Sequence, residues 1–232
     1  MKHGRNAIVT GGGTGIGLAT TRLLATRGWQ ITALGLEKDA DFPDDARFAE
    51  CDVSHPEDLA SALEGVDQLS GLVTCAGIIR FDREWEPEVF EQVMSVNVTG
   101  VLNAAKAALP ALEAAGGAVV NIASMWSWFG NPVSPAYGTS KGAVAALTRS
   151  LAVSWGARGV RVNAVAPGWV ETRISDGARS DPARKARIDA RIPMGRWAQT
   201  DEIAKVVAFL LSEDASYVHG AILPVDGGYL SA

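Results

Sequence analysis

NAIVTGGGTGIGLATTRLLATRG, residues 6–28, passes from a short apolar run through five closely spaced glycines into a good helix former. Val and Ile in NAIVT predict a buried strand, and GIGLATTRLLATRG a helix ending near Gly28. A sharp turn between them needs residues that tolerate positive φ, and Gly11, Gly12 and Gly13 all do. Gly15 lets the backbone approach an anion closely. At a helix N-terminus the free N–H groups and the dipole favour a diphosphate. Gly17 permits tight helix packing. A bare glycine run also reads as a flexible loop, but strand–turn–helix is the context that a dinucleotide cradle requires.

Outward from this turn, β-rich runs alternate with helical ones. QITAL, RFAECDV, LSGLVTCAG, GAVVNIAS, GVRVNAVAPG and GAILPVDGG read as further strands. PEDLASAL, with proline in its first turn, PEVFEQVMSVNVTGVLNAAKAALPAL and TDEIAKVVAFLLS read as helices. In the last, Thr200 is the expected N-cap and Val206, Val207, Leu210 and Leu211 form an apolar stripe. Continuous rather than alternating apolar strands imply burial on both faces. The pattern predicts an α/β fold: one doubly wound parallel sheet, Rossmann-like, in three αβα layers, as a single domain over residues 1–232.

Composition narrows the function. The chain has 232 residues and a net charge of -5, which argues against a dedicated nucleic-acid binder. No apolar run reaches the roughly 20 residues of a membrane span, and the N-terminus reads as lacking a signal core. Cys51 and Cys75 end apolar runs and form no spaced framework, so free thiols in a reducing cytoplasm are expected. His3, His55 and His219 are scattered through expected surface segments without ligand spacing, and no metal is expected.

SPAYGTSKGAV, residues 134–144, places Tyr137 and Lys141 one helical turn apart among small residues. A tyrosine with a pKa of about 10 is rarely ionised at neutral pH. A cation within a few ångströms favours the phenolate and makes it a usable base. By itself the pair also reads as a core tyrosine beside a lysine.

The wide first gap in the Gly11, Gly15, Gly17 spacing resembles the TGxxxGxG pattern of the short-chain dehydrogenase/reductase family. Five further motifs follow in order: Asn97 in SVNVTG, Ser124, YxxxK at Tyr137 and Lys141, PGWVET at 167–172, and VDGG near the C-terminus. The resemblance covers nearly the whole chain. It implies Asn97, Ser124, Tyr137 and Lys141 as the catalytic set. Ser124 would hold the substrate oxygen, and Lys141 would bind the nicotinamide ribose. Asn97 would position a water that connects Lys141 to solvent. Gly11, Gly13, Thr14, Gly15, Ile16, Gly17, Ala76, Gly77, Pro167, Gly168, Val170 and Thr172 would line the cofactor, and Asp52 and Val53 resemble the adenine contacts. Thr74-Cys75 stands where many members carry two asparagines, so the bracing of the central sheet is expected to differ.

In the family an aspartate ending the second strand pairs with the adenosine ribose. Here that place is taken by Gly35, then Leu36 and Glu37. No Arg or Lys stands there or at Thr14, so a 2′-phosphate has no evident cation in the sequence. Glu37 either reaches the ribose or belongs to its acidic loop. NAD is the favoured cofactor, with NADP open through a cation from elsewhere. The implied activity is hydride transfer between a nicotinamide and a secondary alcohol or its ketone, with cyclic or bulky substrates among the candidates. An NADPH-dependent ketone or 3-oxoacyl reductase and a non-catalytic dinucleotide sensor are the alternatives. Arg80, Trp126, Trp128 and Trp169 are the substrate candidates, with the tryptophans of MWSWFGNP (residues 125–132) equally readable as a subunit contact. A basic lid is expected around 173–197, with Arg173, Arg179, Arg184, Lys185, Arg187, Arg191 and Arg196 either drawing an anionic substrate or forming a solvated face. The resemblance also implies a homotetramer.

Overall fold

The computed structural model describes residues 4–232, and His3 lies outside them. Seven parallel strands form one sheet in the order β3-β2-β1-β4-β5-β6-β7. They are β1 (Asn6–Thr10), β2 (Gln30–Gly35), β3 (Arg47–Glu50), β4 (Gly71–Thr74), β5 (Ala118–Ile122), β6 (Arg161–Pro167) and β7 (Ile222–Val225). The helices are α1 (Gly15–Thr26), α2 (Pro56–Ala62), α3 (Pro87–Met94), α4 (Gly100–Ala115), α5 (Pro135–Trp155), α6 (Asp176–Arg179), α7 (Pro182–Asp189) and α8 (Thr200–Leu211). Strand order reverses between β1 and β4. In open α/β sheets ligands bind there, beyond the carboxyl ends of the strands.

One core packs α1 and α8 on a sheet face through Leu24, Ile203, Val207 and Leu210. A second core lies on the other face, with Leu59, Ala105, Leu112, Leu151 and Trp155 from α2, α4 and α5. This double coverage explains the unbroken apolar strands: β4 is buried at all four positions and β5 at all five. The expected stripe on α8 is present, with Val207 and Leu210 fully buried, Leu211 nearly so and Val206 packed at its edge. Among the described residues, no helix is long and apolar enough to cross a membrane.

The structure corrects several local expectations. Strand 3 ends at Glu50, so Cys51, Asp52 and Val53 belong to the following turn, where Asp52 accepts the Ser54 amide and hydroxyl. The α8 N-cap is Gln199, one residue before Thr200, because Gln199 and Glu202 form a reciprocal capping box that a threonine at 200 could not close. The helical stretch from Pro87 is interrupted by a π-turn, Ser95–Thr99, which contains Asn97. Thr74 takes over the bracing: its hydroxyl donates to Asn121 Oδ1 at 2.7 Å, and Asn121 Nδ2 donates to Thr148 Oγ1 at 2.9 Å. That chain of buried bonds ties β4, β5 and α5 together. Cys51 and Cys75 are free thiols, as expected.

Candidate active site

The turn after β1 is built from backbone against backbone. Gly11 has φ +63°, and a side chain there would meet the Ala76 amide at 2.7 Å. A Cβ on Gly17 would overlap the Gly11 carbonyl, and one on Gly13 would overlap the Glu37 carbonyl. Gly17 therefore seats α1 on its own turn, and Gly13 admits the segment after β2. The N-cap Thr14 makes no side-chain capping bond, and the first turn of α1 has no acidic residue. The Gly17 N–H faces the Cys75 thiol, and the N–H groups before it are left to an outside acceptor. An uncapped helix end beside glycines with no room for side chains fits a dinucleotide diphosphate.

A cleft of about 610 Å³ opens from this turn across the carboxyl ends of the strands. Gly11, Thr14, Gly15, Ile16, Glu37, Ala76 and Gly77 line one wall. Pro167, Gly168, Val170, Thr172 and Arg173 line the other. Gly13, Gly17, Gly35, Leu36, Asp52 and Val53 do not line it. Gly13 and Gly17 act through packing; Val53 is buried against Gly100 of α4, and Leu36 is exposed to solvent.

Ser124, Tyr137 and Lys141 meet at the floor of the cleft. The Lys141 Nζ lies 5.5 Å from the Tyr137 ring centre and donates to the Ile122 carbonyl at 2.7 Å. Burial holds the ammonium's pKa down to about 8, with Cys75 acting weakly in the other direction. Burial also raises the phenol well above its ordinary value, and Cys75 and Glu84 add to that, while a hydrogen bond with Ser124 opposes it. Burial likewise lifts the Cys75 thiol to about 11, against the pull of Lys141.

Asn97 lies behind this group, fully buried. Its Oδ1 accepts the Ile78 amide at 2.8 Å, and its Nδ2 donates to the Ile78 carbonyl at 2.9 Å and to Ser140 Oγ at 3.0 Å. Both amide hydrogens are used within the protein, so the side chain braces the β4 loop against α5. A Cβ on Gly77 would stand 3.3 Å from Asn97 Oδ1 and 3.6 Å from Lys141 Nζ. Only glycine leaves that approach open.

On the substrate side, Trp126 stands edge-on to Tyr137 at 5.4 Å and to Trp169 at 5.9 Å, and Trp169 packs against Trp197 at 5.0 Å. Among the described residues the shielded Trp169 Nε1 has no acceptor. Arg80 lines the cleft and pairs with no carboxylate among the described residues. Trp128 does not line the cleft and is about half exposed, since the short helical turn Met125–Ser127 carries it outward. Phe129 packs instead on Tyr229 at 5.9 Å.

The segment after PGW starts and ends at one bridge, Val170 beside Ala198, with Ala198 N donating to Trp169 O at 2.9 Å. Most of its basic charge is spent locally. Arg179 pairs with Glu171 and Asp176, Lys185 with Asp189, and Arg196 with Glu202. Arg184 stacks over Phe81 and Arg191 over Tyr229 and Phe129. Arg173 reaches across the cleft mouth to Glu37 at 2.9 Å and Asp39 at 3.4 Å. This is a cation beside Glu37 that sequence spacing alone did not reveal, 136 residues away.

A glycine cradle at the switch point of a parallel sheet, opening onto a buried serine–tyrosine–lysine group, defines a dinucleotide-dependent oxidoreductase. The model of the Enoyl-(Acyl carrier protein) reductase family matches residues 11–230. A cis-4-hydroxycyclohexanecarboxylate dehydrogenase of Sinomonas cyclohexanicum is 40% identical over 97% of this chain and 96% of its own length. A 2-dehydro-3-deoxy-D-gluconate 5-dehydrogenase of Bacillus subtilis is 38% identical over 98% and 95%. The crystal structure of a gluconate 5-dehydrogenase from Burkholderia cenocepacia with NADP and tartrate superposes with a TM-score of 0.91, at 34% identity over 99% of this chain and 96% of that one. The chain belongs to the short-chain dehydrogenase/reductase family, NAD(P)-dependent enzymes that act on CH–OH groups.

Proposed function

We propose that this protein oxidises a secondary hydroxyl on a bulky or cyclic hydroxy acid, or reduces the matching ketone, with Tyr137 as the group that takes or returns the hydroxyl proton. The carrying observation is the convergence of Ser124, Tyr137 and Lys141 on the cleft floor beneath the glycine turn. A bound nicotinamide dinucleotide would supply the hydride acceptor. Gly11, Gly15 and the α1 N-terminus would hold its diphosphate, with Ala76, Gly77, Pro167, Gly168, Val170 and Thr172 along its length. Ser124 Oγ orients the reacting oxygen toward the phenol. The Lys141 charge, in a site that excludes water, stabilises the phenolate as the proton transfers to Tyr137 Oη. Asn97 keeps Lys141 in place by fixing the elements on either side of it.

Trp126 and Trp169 supply flat apolar walls for a ring. Arg80 supplies an unpaired cation for a carboxylate, and the two acid-processing relatives make that chemistry reasonable. NAD is preferred because Glu37 lines the ribose end of the cleft. Arg173 beside it favours a second reading, in which NADP is also accepted. The two free thiols suit a reducing cytoplasm, and assembly as a homotetramer accords with the apolar side chains left exposed on the long helices, Val153 and Leu102 among them.

Cyclic and acidic alcohols incubated with NAD and NADP, followed by the absorbance of reduced cofactor, test this reading. Replacing the proton-transfer group, Tyr137→Phe, is expected to cut turnover by about 10²–10⁴-fold while cofactor binding by fluorescence titration persists. Turnover that survived this substitution would overturn the mechanism.

A further inference from the structure

Glu84 is a charged residue buried completely, and nothing in the proton-transfer scheme uses it. Its Oε1 accepts the Arg80 amide at 2.7 Å, and its Oε2 accepts the Tyr137 amide at 2.8 Å. Among the described residues no cation pairs with it. Burying a carboxylate costs solvation that two hydrogen bonds only partly return, so its placement calls for a function.

The N-terminus of α5 has a conventional capping residue at hand. Ser134 is the N-cap and is fully buried, yet it makes no capping bond and its hydroxyl has no partner among the described residues. A carboxylate 53 residues away takes the N3 amide instead. The loop that carries Glu84 is clipped to the entrance of α5 at two more points. Asp82 N donates to Val133 O at 3.1 Å, and Trp85 Nε1 donates to Pro132 O at 3.3 Å. Asp82 adopts φ +63°, a conformation that a non-glycine residue keeps only when its surroundings impose it. A local cap would satisfy α5, but it would not connect α5 to the loop bearing Arg80.

We propose that Glu84 is a positioning residue that ties the Arg80 loop to the backbone of Tyr137, so that the substrate rim and the phenol keep one fixed relation. This rests on the reading of Tyr137 as the proton-handling group. The carboxylate also faces the phenol electrostatically. The groups that face Tyr137 are Cys75 after β4, Ser124 after β5, Lys141 on its own helix and Glu84 from the loop, and the Glu84 charge disfavours the phenolate. Removing that charge while keeping the side-chain volume makes ionisation easier.

Glu84→Gln and Glu84→Asp, compared with wild type, test the proposal by three measurements. Hydrogen exchange of peptides covering 78–86 and 134–140 is expected to quicken together in Glu84→Gln, because one acceptor is lost and the tie loosens at both ends. Quickening confined to one segment overturns the tie. In kcat/KM against pH for alcohol oxidation, the rising limb is expected to move acidward in Glu84→Gln and to stay in place in Glu84→Asp, which keeps the charge. A limb unmoved in Glu84→Gln with only kcat lowered marks a plain helix cap and overturns the proposal. The KM for an acidic alcohol is expected to rise several-fold in both variants, and an unchanged KM also counts against it. If Glu84→Gln does not fold, Glu84→Asp carries the exchange test: both segments should quicken, and no change overturns the tie. Absence of wild-type turnover on every alcohol would refute the assigned function, while the paired exchange result would still decide the tie.

Discussion

The two walls of the cleft are made in opposite ways. The glycine wall is main chain packed on main chain: Gly17 against the Gly11 carbonyl, Gly13 against the Glu37 carbonyl, and Gly11 against Ala76, with no space for one more carbon. The lid wall, from Trp169 to Ala198, is aromatic rings and charge pairs, several of them largely exposed, pinned at the Val170–Ala198 bridge. Errors in the first have nowhere to relax, whereas side chains in the second can shift. The difference teaches that the glycine wall is built for one shape and the lid wall for adjustment.

The largest effect is expected from the buried cation below the first wall. The Lys141 pKa is held at about 8 by desolvation, against an ordinary value near 10.4. The folded state therefore binds fewer protons than the unfolded state between those values. The Lys141 contribution to the stability of the ligand-free protein should rise with pH through that window, with the full penalty present below about 8, while the Cys51 and Cys75 thiols, which burial lifts from 9.0 to about 11, act oppositely above 9.0. The Lys141 change is on the order of 3 kcal/mol, and Lys141→Met should flatten it in urea denaturation curves recorded from pH 7 to 10. Tyr137 acts oppositely, but only above about 10, where the folded state retains a proton that the unfolded state releases.

Next comes the glycine wall itself. Gly17→Ala is expected to cost about 1–3 kcal/mol of stability through overpacking, read in urea denaturation, and to weaken cofactor binding, measurable by fluorescence titration. Wild-type affinity in that variant would show that the wall can yield. On the lid side, Trp126→Ala removes the edge contact to Tyr137. An aromatic pair contributes about 0.5–1.5 kcal/mol, so kcat/KM for a cyclic alcohol should fall about two- to tenfold, with acyclic alcohols less affected. The smallest effect belongs to Arg173→Ala. Its pair with Glu37 is solvent-exposed, so melting temperature should barely move, because such pairs contribute about 0–1 kcal/mol. The ratio of NADP to NAD affinity should nonetheless fall by up to about fivefold; an unchanged ratio would remove Arg173 from cofactor selection.

Much of this was legible in advance, because local chemistry is written in adjacent residues. TGGGTGIG declared a crowded turn, the i,i+4 spacing put Tyr137 and Lys141 on one face, and unbroken Val and Ile runs declared a sheet covered on both sides. Other features were not legible. In FDREWE, residues 81–86, no sequence pattern singles out Glu84 for complete burial. The basic lid reads either as an anion attractor or as a solvated face until Arg179, Lys185 and Arg196 are seen beside Glu171, Asp176, Asp189 and Glu202. The Asn97 side-chain amide bonds Ile78 and Ser140, contacts set by a π-turn that helix periodicity cannot signal.

By itself the sequence determined the parallel α/β fold, the phosphate turn and the tyrosine–lysine pair, since each depends on periodicity or on neighbours a few residues apart. Only the tertiary structure decided that Arg173 meets Glu37, that Thr74 replaces the missing asparagine brace, and that Glu84 caps the helix of Tyr137. Those contacts join residues 47 to 136 positions apart. Their partners are chosen by chain topology and by the need of buried polar groups for hydrogen bonds, which no short stretch of residues encodes.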